Sequence, residues 1–385
     1  MARTNKPYRV YRGGRAKGGV PSLPRLAKPE RRKPARDGRR PERYAGPGPT
    51  TRPPRRWGAG RIVPLVLLGL VLLAIGWTVA GYLAVRGGMQ TANARLGERA
   101  KAQLAPVDGW MLSNPSVTLV LGSDHSRHPT RRGNRLADSI MLIRTDPEHH
   151  RMTYLSIPRD LEVDIPGHGH ERINSSLPLG GPQLAIRTID EAFGIPVNHV
   201  ILLDFPSFRG VIDALGGIEV DVRSPAVTKV DCPYPSAERC SRWGGWRFGR
   251  GRQEMNGRRA LLYSRIRKND LDPGESDLNR VGRQQQVLQA TLSEMVSFGT
   301  YLRLPFIGED LVSPLATDLT TEELFQLSWL RFRASTDRTI YCRLAFTGES
   351  DYNATVLLMF SGRSAIQPPS AATAGAGCVR GSPLT

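Results

Sequence analysis

The chain has 385 residues, of which 39% are hydrophobic, so it is too apolar to be wholly disordered and too polar for a membrane protein with many spans. Residues 1–61 hold 19 Lys or Arg against 3 Asp or Glu and account for +16 of the net charge of +19. The remaining 324 residues are nearly neutral at +3, so the high pI does not indicate that the folded part binds nucleic acid.

The basic tail, residues 1–61, is rich in Arg, Pro and Gly and contains no aliphatic run that could form a core. We therefore expect it to be disordered. Such a tail can bind DNA, or it can lie against an anionic membrane surface. The segment that follows the tail favours the membrane.

Residues 62–85 form an apolar segment of 24 residues without a charge. A helix of that length measures about 36 Å and can cross the hydrocarbon core of a bilayer. The sequence Ala92-Asn93-Ala94 resembles a signal-peptide cleavage site, but the apolar run and the region before it are too long for a cleaved signal. We therefore predict an uncleaved anchor. The basic residues before it place the tail in the cytoplasm and residues 86–385 outside.

Residues 86–113 are predicted to form a polar, partly helical stalk, residues 114–362 one α/β domain, and residues 363–385 a low-complexity tail. Within the domain, apolar runs typical of strands alternate with amphipathic helical patterns, which indicates a layered α/β sheet. The predicted strands are 117–121, 139–144, 152–157, 200–203 and 218–222, and the predicted helices are 183–193, 205–215, 278–295 and 322–332.

Two carboxylates border neighbouring predicted strands. Asp124 follows the first strand and Asp138 precedes the second, so both can meet at one edge of the sheet, where open α/β sheets bind ligands. Paired carboxylates beside a phosphate suit Mg²⁺. Alternatively, each aspartate merely borders its strand.

The segment 156–160 (SIPRD) lies at the end of the third predicted strand. Its proline ends the strand and places Arg159 in a loop, where a guanidinium can bind a phosphate through two parallel hydrogen bonds. The alternative is a surface ion pair with the neighbouring Asp160, which would contribute little to stability.

Arginines also cluster in two later segments, 260–267 and 278–286. If the first is extended, Tyr263, Arg265 and Arg267 share one face. If the second is a helix, the residues on one face are Arg280, Arg283 and Gln284. These arginines form either a solvated face paired with nearby acidic residues or a pocket for a diphosphate.

The four cysteines, Cys232, Cys240, Cys342 and Cys378, include no C-x-x-C pair, which argues against a structural zinc site or a thioredoxin-like centre. Their even number permits two disulfides if the domain lies outside the cytoplasm.

Taken in order, the segments LGSD, AD before SIMLI, SIPRD, IPGHGHERIN, ALLYSRIRK and DLNRVGRQQQVL, together with the N-terminal anchor, resemble the LytR–CpsA–Psr family from about Val117 to Phe360. The resemblance implies a mixed-sheet αβα sandwich with an apolar pocket for a polyprenyl chain. It also implies an extracytoplasmic phosphotransferase that moves a glycopolymer phosphate from a polyprenyl diphosphate carrier to a peptidoglycan hydroxyl and releases polyprenyl phosphate.

By position, the resemblance implies that Asp124 and Asp138 hold Mg²⁺, or Mn²⁺ in its place. It assigns catalytic roles to Arg159, Asp160 and Arg267, while the general base stays open among Asp124, Asp138 and Asp160. The residues expected to bind the diphosphate are Arg159, Arg265, Arg267, Arg280 and Gln284, with Arg283 beside them.

The sequence departs from the family pattern at Leu136 and Arg172, where the family usually has Arg and Lys, and in the segment 232–252, which resembles an insertion. An extracytoplasmic domain fits disulfides between Cys232 and Cys240 and between Cys342 and Cys378.

Two other functions stay open. The chain could be a membrane-bound transcriptional regulator that uses its basic tail, although the tail has no helix-turn-helix pattern and specific binding to nucleic acid is not expected. It could also be a non-catalytic anchor that binds a polyprenyl phosphate or the cell wall through the same pocket.

Overall fold

The computed structural model describes residues 59–107, 109–124, 136–275, 277–334, 338–344, 360 and 378–380. The prediction of a disordered tail therefore lies outside the described residues, except that Ala59 to Arg61 begin the first helix. The α-helices are α1 (Ala59–Arg95), α2 (Glu98–Lys101), α3 (Ser176–Phe193), α4 (Phe205–Ala214), α5 (Ala237–Arg242), α6 (Gly257–Ser264), α7 (Asp277–Met295), α8 (Phe298–Val312) and α9 (Thr321–Arg333).

The central sheet has seven strands in the order β11-β6-β1-β2-β3-β12-β13. It is mixed, because β1 pairs in parallel with β6 and β3 with β12, while the remaining neighbours are antiparallel. Three two-stranded sheets, β4-β5, β7-β10 and β8-β9, flank it. The strands are β1 (Val117–Ser123), β2 (Ala137–Asp146), β3 (Arg151–Ile157), β4 (Glu162–Ile165), β5 (Gly169–Arg172), β6 (His199–Asp204), β7 (Ile218–Val222), β8 (Ala226–Thr228), β9 (Trp246–Phe248), β10 (Gly251–Met255), β11 (Ala316–Thr317), β12 (Ile340–Arg343) and β13 (Cys378–Arg380).

Helices cover both faces of the sheet. Alternate residues of β1, such as Leu119 and Leu121, pack with Ile186 and Ile189 of α3. The opposite face packs against α7 and α9, and it carries a stacked pair, Tyr154 and Tyr341, with ring centroids 5.2 Å apart. The structure is therefore the αβα sandwich expected from the sequence. Successive side chains of the central strands point to opposite faces of the sheet, and both faces are buried.

A second core lies beside the sheet. It joins the end of α1 to α4, α6 and α8 and to the small sheet of β7 and β10. Val85, Met89 and Ala92 are buried in this core, so the long apolar helix α1 continues into the domain. The first part of the predicted stalk is thus packed against the domain as an uninterrupted helix.

The predicted strands and helices are all present, with ends that differ by a few residues. The extended reading of 260–267 is wrong, because residues up to Ser264 form α6, whose N-cap Asn256 accepts a hydrogen bond from the Arg259 backbone N–H. Tyr263 consequently faces the core instead of sharing a face with the arginines. The predicted C-terminal tail contributes β13, which pairs with β12.

Both expected disulfides are present, joining Cys232 to Cys240 and Cys342 to Cys378. The first closes a loop over residues 232–240, at the beginning of the segment that resembles an insertion, and that segment also contains β9. The second connects β12 to β13 at the edge of the sheet.

Candidate functional site

A polar cavity of about 530 Å³ opens at one edge of the central sheet. Seven of the residues predicted from the sequence line this cavity, although they come from distant segments of the chain. The lining residues are Asp124, Leu136, Asp138, Arg159, Val230, Asp231, Arg265, Arg267, Arg280 and Gln284.

The sheet brings Asp124, Asp138 and Arg159 together. Strand β1 ends beside the start of β2, with Ser123 opposite Ala137, and the Asp124 backbone N–H donates to the Leu136 carbonyl at 3.1 Å. Strand β3 is antiparallel to β2, so its last residue is also at this edge. Pro158 then ends the strand, and Arg159 follows in the loop.

Arg159 lies between two carboxylates. Its Nη1 atom is 2.5 Å from Asp138 Oδ1, and its Nε atom donates to Asp160 Oδ2 at 3.2 Å. Arg267 also approaches Asp138 Oδ1, at 3.9 Å. Charge-assisted contacts of this kind fix the plane of a guanidinium group.

Arg265 is the C-cap of α6 and turns towards the cavity at the point where that helix ends. Its guanidinium lies 4.5 Å from the ring centroid of Phe205 and forms an ion pair with Asp231. Asp231 was not among the site residues predicted from the sequence. It immediately precedes the disulfide-bonded Cys232, so it lies next to the segment 232–252 that departs from the family pattern, and this position was its only signal in the sequence.

Arg280 and Gln284 reach the cavity from α7, where they are one turn apart and share a face. Arg280 is buried. The adjacent Gln285 was also missed: its Nε2 donates to Ser156 Oγ at 2.9 Å and attaches α7 to β3, three residues before Arg159.

Arg283 does not line the cavity, in contrast to the prediction. It is buried, forms an ion pair with Glu275, donates to the Ile266 carbonyl at 3.3 Å and lies over the ring of Tyr263. The spacing of three residues predicted that Arg283 shares a helix face with Arg280. The ion pair with the buried carboxylate of Glu275 instead holds the Arg283 guanidinium away from the cavity.

Asp160 also lies outside the set of lining residues. It contacts Arg159 and, at 3.7 Å, Nη1 of Arg172, and its side chain is partly exposed. Asp160 is therefore placed to orient Arg159 from beside the cavity, and the catalytic role expected for it stays a prediction.

The cavity combines four guanidinium groups with three carboxylates, those of Asp124, Asp138 and Asp231. The excess positive charge and the forked donors suit a diphosphate. Among the described residues no group of three or more metal-ligating side chains occurs. Asp124 and Asp138 nevertheless fit Mg²⁺, which takes one or two protein carboxylates and completes its shell with phosphate oxygens and water.

A second, apolar cavity of about 150 Å³ adjoins the polar one and shares Arg265 and Gln284 with it. It lies between the sheet and helices α4, α6 and α7. Its walls include Val120, Met141, Phe205, Phe208, Val287 and Leu288. The two cavities together can hold a molecule with a charged head and an apolar chain.

The LytR_cpsA_psr family model matches residues 82–362 of the chain. The regulatory protein MsrR of Staphylococcus aureus (strain COL) is 34% identical over 210 residues, which cover 54% of this chain and 58% of MsrR. The polyisoprenyl-teichoic acid–peptidoglycan teichoic acid transferase TagU of Oceanobacillus iheyensis is 33% identical over 194 residues, which cover 49% of this chain and 55% of TagU.

Among solved structures, the crystal structure of B. subtilis TagV has a TM-score of 0.52 and 23% sequence identity, and the match covers 65% of this chain and 98% of TagV. This similarity shows a shared fold. The chain spans less than two thirds of the length of MsrR and TagU.

Proposed function

Because the chain belongs to the LytR_cpsA_psr family, we propose that it moves a glycopolymer phosphate from a polyprenyl diphosphate carrier to a peptidoglycan hydroxyl and releases polyprenyl phosphate. The name of its relative TagU describes a transferase that acts on a polyisoprenyl-linked teichoic acid and peptidoglycan. For the polymer that is transferred, we propose only that it is a glycan linked through phosphate.

The observation that carries the proposal is the shared wall of the two cavities. Arg265 and Gln284 line both the charged cavity and the apolar one. A polyprenyl diphosphate has the same division, with an anionic head joined directly to an isoprenoid chain. A soluble sugar nucleotide would leave the apolar cavity without a function.

The arginines of the polar cavity bind the diphosphate and stabilise charge on it during transfer. The acceptor hydroxyl attacks the phosphorus nearer the glycan, so a new P–O bond forms to the acceptor while the P–O bond to the bridging oxygen breaks. Polyprenyl phosphate leaves with that oxygen, and the proton of the hydroxyl passes to a carboxylate of the cavity. Catalysis of this kind depends on positioning and on stabilisation of charge.

Asp124 and Asp138 would hold the divalent ion. A bound Mg²⁺ supplies positive charge at the diphosphate oxygens and so favours departure of the polyprenyl phosphate. Arg159 and Arg267 already contact Asp138 through one oxygen, Oδ1. They therefore keep this carboxylate at the rim of the cavity.

Helix α1 is the anchor in this proposal. Among the described residues, one helix is long and apolar enough to cross a membrane. With the basic tail in the cytoplasm, the domain lies outside, where disulfides are stable. A thiol reagent that cannot cross membranes should label Arg187→Cys in intact spheroplasts, and labelling only after lysis would place the domain inside.

The transfer itself is tested with the full-length chain in detergent, a synthetic oligosaccharide linked to polyprenyl diphosphate, Mg²⁺ and peptidoglycan fragments. We expect equal amounts of polyprenyl phosphate and of peptidoglycan that carries the oligosaccharide phosphate. If the lipid is bound but neither product forms, the chain is a binding protein and not a transferase.

A regulatory role is the second candidate, because the relative MsrR is named a regulatory protein. If the basic tail binds DNA, the affinity should fall steeply with salt and should not depend on sequence. Sequence-specific binding that persists at high salt would favour this candidate.

A further inference from the structure

Helix α8 lies alongside the membrane helix. The Tyr301 hydroxyl is 2.9 Å from Thr78 Oγ1, and a Cβ on Gly81 would lie 3.2 Å from Leu304. Further along, a Cβ on Gly308 would lie 3.0 Å from a methyl group of Val85. Partners in these contacts are 223 residues apart, so α8 runs parallel to α1 in a constant register.

This register fixes the depth of α8 relative to the anchor. By the same offset Phe298, the first residue of α8, lies level with Ile75. Residue 75 is about 21 Å from Arg61 along the helix axis, and a hydrocarbon core is about 30 Å thick. The first turn of α8 therefore lies roughly 9 Å inside the side of the core from which α1 emerges.

The exposed surface of α8 is apolar from that depth to the surface of the core. Phe298 and Phe306 are 73% and 75% exposed, and Tyr301 and Leu302 are also exposed. Phe306 contacts Trp77 edge to face, with centroids 5.7 Å apart. Soluble proteins rarely expose so many large apolar side chains in one patch.

The charged residues of α8 follow the same boundary. Arg303 is level with Ala80, near the surface of the core; its Nη2 donates to the Leu215 carbonyl at 2.9 Å and lies 3.6 Å from Glu294, and its side chain is 43% exposed. The exposed Glu309 and Asp310 come in the last turn, level with Arg86, the first charge after the apolar segment of α1. Both helices thus change from apolar to charged at one height.

Helix α9 extends the apolar surface. Phe325 stacks on Tyr82 with centroids 6.0 Å apart, and the exposed Trp329 and Phe332 stack on each other. A groove of about 460 Å³ separates α8 from α9 and is lined mainly by apolar side chains of both. Aromatic residues are enriched where a protein meets the bilayer interface.

We propose that this α8–α9 surface is embedded in the acyl chains of the leaflet into which α1 emerges, so that the domain sits in the membrane surface and not on a stalk above it. The inference rests on the proposed role of α1 as a membrane anchor. The occupant is lipid because the surface continues the exposed apolar face of α1 at the same depth, as the shared register requires.

Residues of α7 line both the apolar cavity and the groove between α8 and α9. Thr291 lines that cavity, and Met295, one turn later on α7, lines the groove between α8 and α9. One helical turn rises about 5.4 Å. About one helical turn of α7 therefore separates the apolar cavity from the groove between α8 and α9.

The depth of single side chains tests the proposal. The full-length chain is labelled with a nitroxide at Phe298→Cys or Phe306→Cys in nanodiscs of phosphatidylethanolamine and phosphatidylglycerol. Access of oxygen, which concentrates in lipid, is compared with access of a water-soluble nickel chelate. Leu72→Cys on α1 serves as the membrane control, and Arg187→Cys on α3 as the aqueous control.

We expect the ratio of oxygen to nickel access at Phe298→Cys to be several-fold higher than at Arg187→Cys and close to that at Leu72→Cys. Phe306 is level with Leu83, at the surface of the hydrocarbon core, so the ratio at Phe306→Cys should lie between those of the two controls. A ratio equal to that of Arg187→Cys would overturn the proposal. Immobile labels that neither reagent reaches would also overturn it, because a protein partner would then cover the surface. If Leu72→Cys itself is reached by nickel, the membrane anchor fails instead.

Discussion

Arg159 is the residue on which the proposed chemistry depends most. Its guanidinium is held by Asp138 and Asp160 at the edge of the sheet, and its side chain is only 15% exposed. The two carboxylates leave it little rotational freedom. A diphosphate would therefore meet a donor that is already oriented, which is the condition for strong stabilisation of transition-state charge.

Replacing Arg159 should lower transfer sharply without unfolding the domain. We expect Arg159→Ala to reduce kcat/KM by about 100-fold or more, as for other preorganised donors, with little change in Tm. Arg159→Lys should restore little of it because lysine lacks the fork. Arg187→Ala, in an exposed pair with Glu191, is the control. Unchanged transfer by Arg159→Ala would remove this residue from the mechanism.

Asp138 and Asp160 are predicted to respond differently to the metal. Asp138→Asn should raise the Mg²⁺ concentration needed for half-maximal transfer by about tenfold or more, because a ligand is lost. Asp160→Asn should change KM or kcat and leave the Mg²⁺ requirement unchanged, since Asp160 acts through Arg159. Metal titrations of both variants decide this, and an equal shift in the two would contradict the assignment. EDTA should abolish transfer by the wild type.

Tyr263 gives a pH-dependent prediction. Burial raises the pKa of its hydroxyl to about 12, so folding favours the neutral form. The resulting stability is complete below the unfolded pKa of about 10 and is lost as the pH rises from there to about 12. Tyr263→Phe should therefore weaken the decline in unfolding free energy over this range, by up to roughly 3 kcal/mol.

Chemical denaturation of the wild type and Tyr263→Phe at pH 9, 10, 11 and 12 measures this difference. The variant also loses the hydrogen bond from the hydroxyl to Gln286, which lowers the unfolding free energy of the variant alone by a constant amount at pH values where Tyr263 is neutral. Parallel curves across the whole range would show that Tyr263 does not titrate on unfolding.

At the scale of elements, neighbouring residues of α7 have different roles: two line the polar cavity and one forms a buried ion pair. Arg280 and Gln284 face the polar cavity, whereas Arg283 is buried against Glu275 beneath α6. The side chains of that ion pair are 6% and 3% exposed. A buried pair costs much when one partner is removed and little when both are replaced by apolar residues.

We therefore expect Arg283→Met alone to destabilise the domain by about 3–5 kcal/mol, because the Glu275 carboxylate stays buried without its cation. The double variant Arg283→Met with Glu275→Leu should recover most of that loss. Both can be measured by denaturant unfolding. If the double variant is as unstable as the single one, the ion pair is not the source of the effect.

Strands and helices could be predicted from the sequence where one hydrophobic pattern dominates a segment. Strands β1, β2 and β3 are continuous apolar runs, and α4, α7 and α9 have a clear helical pattern. Helix α8 was missed because large apolar residues occur around its whole circumference and Pro305 interrupts it. No charged residue of α8 occurs before Arg303, so the first part of the helix has no charged face in the sequence. Its contact with α1 and the proposed contact with lipid explain why it needs none.

Only part of the candidate site could be predicted from the sequence. Asp124, Asp138 and Arg159 follow from strand ends and from the resemblance to a family. The position of Arg283 depends on its ion pair with Glu275, and that of Asp231 on its ion pair with Arg265. Spacing alone did not decide which arginine pairs with a nearby acidic residue and which one lines the cavity. Tertiary ion pairs of this kind leave no periodic signal.

At the scale of the whole molecule, three groups of elements come together to form the two cavities. The sheet edge supplies the carboxylates and Arg159, α6 and α7 supply the other cations, and α4 with the sheet encloses the apolar cavity. The order β11-β6-β1-β2-β3-β12-β13 brings these segments together. That order could not be read from alternation alone, because neighbouring strands in the sheet are often far apart in sequence.

The central claim is that one site binds the diphosphate head and the isoprenoid chain of the same molecule. Its most direct test is the affinity of the full-length chain for a short polyprenyl diphosphate, compared between the wild type, Arg159→Ala with Arg267→Ala, and Arg187→Ala. We predict that the wild type and Arg187→Ala bind the lipid equally, and that the double variant binds it at least about tenfold more weakly, a loss of about 1.4 kcal/mol or more. Equal binding by all three would contradict the claim.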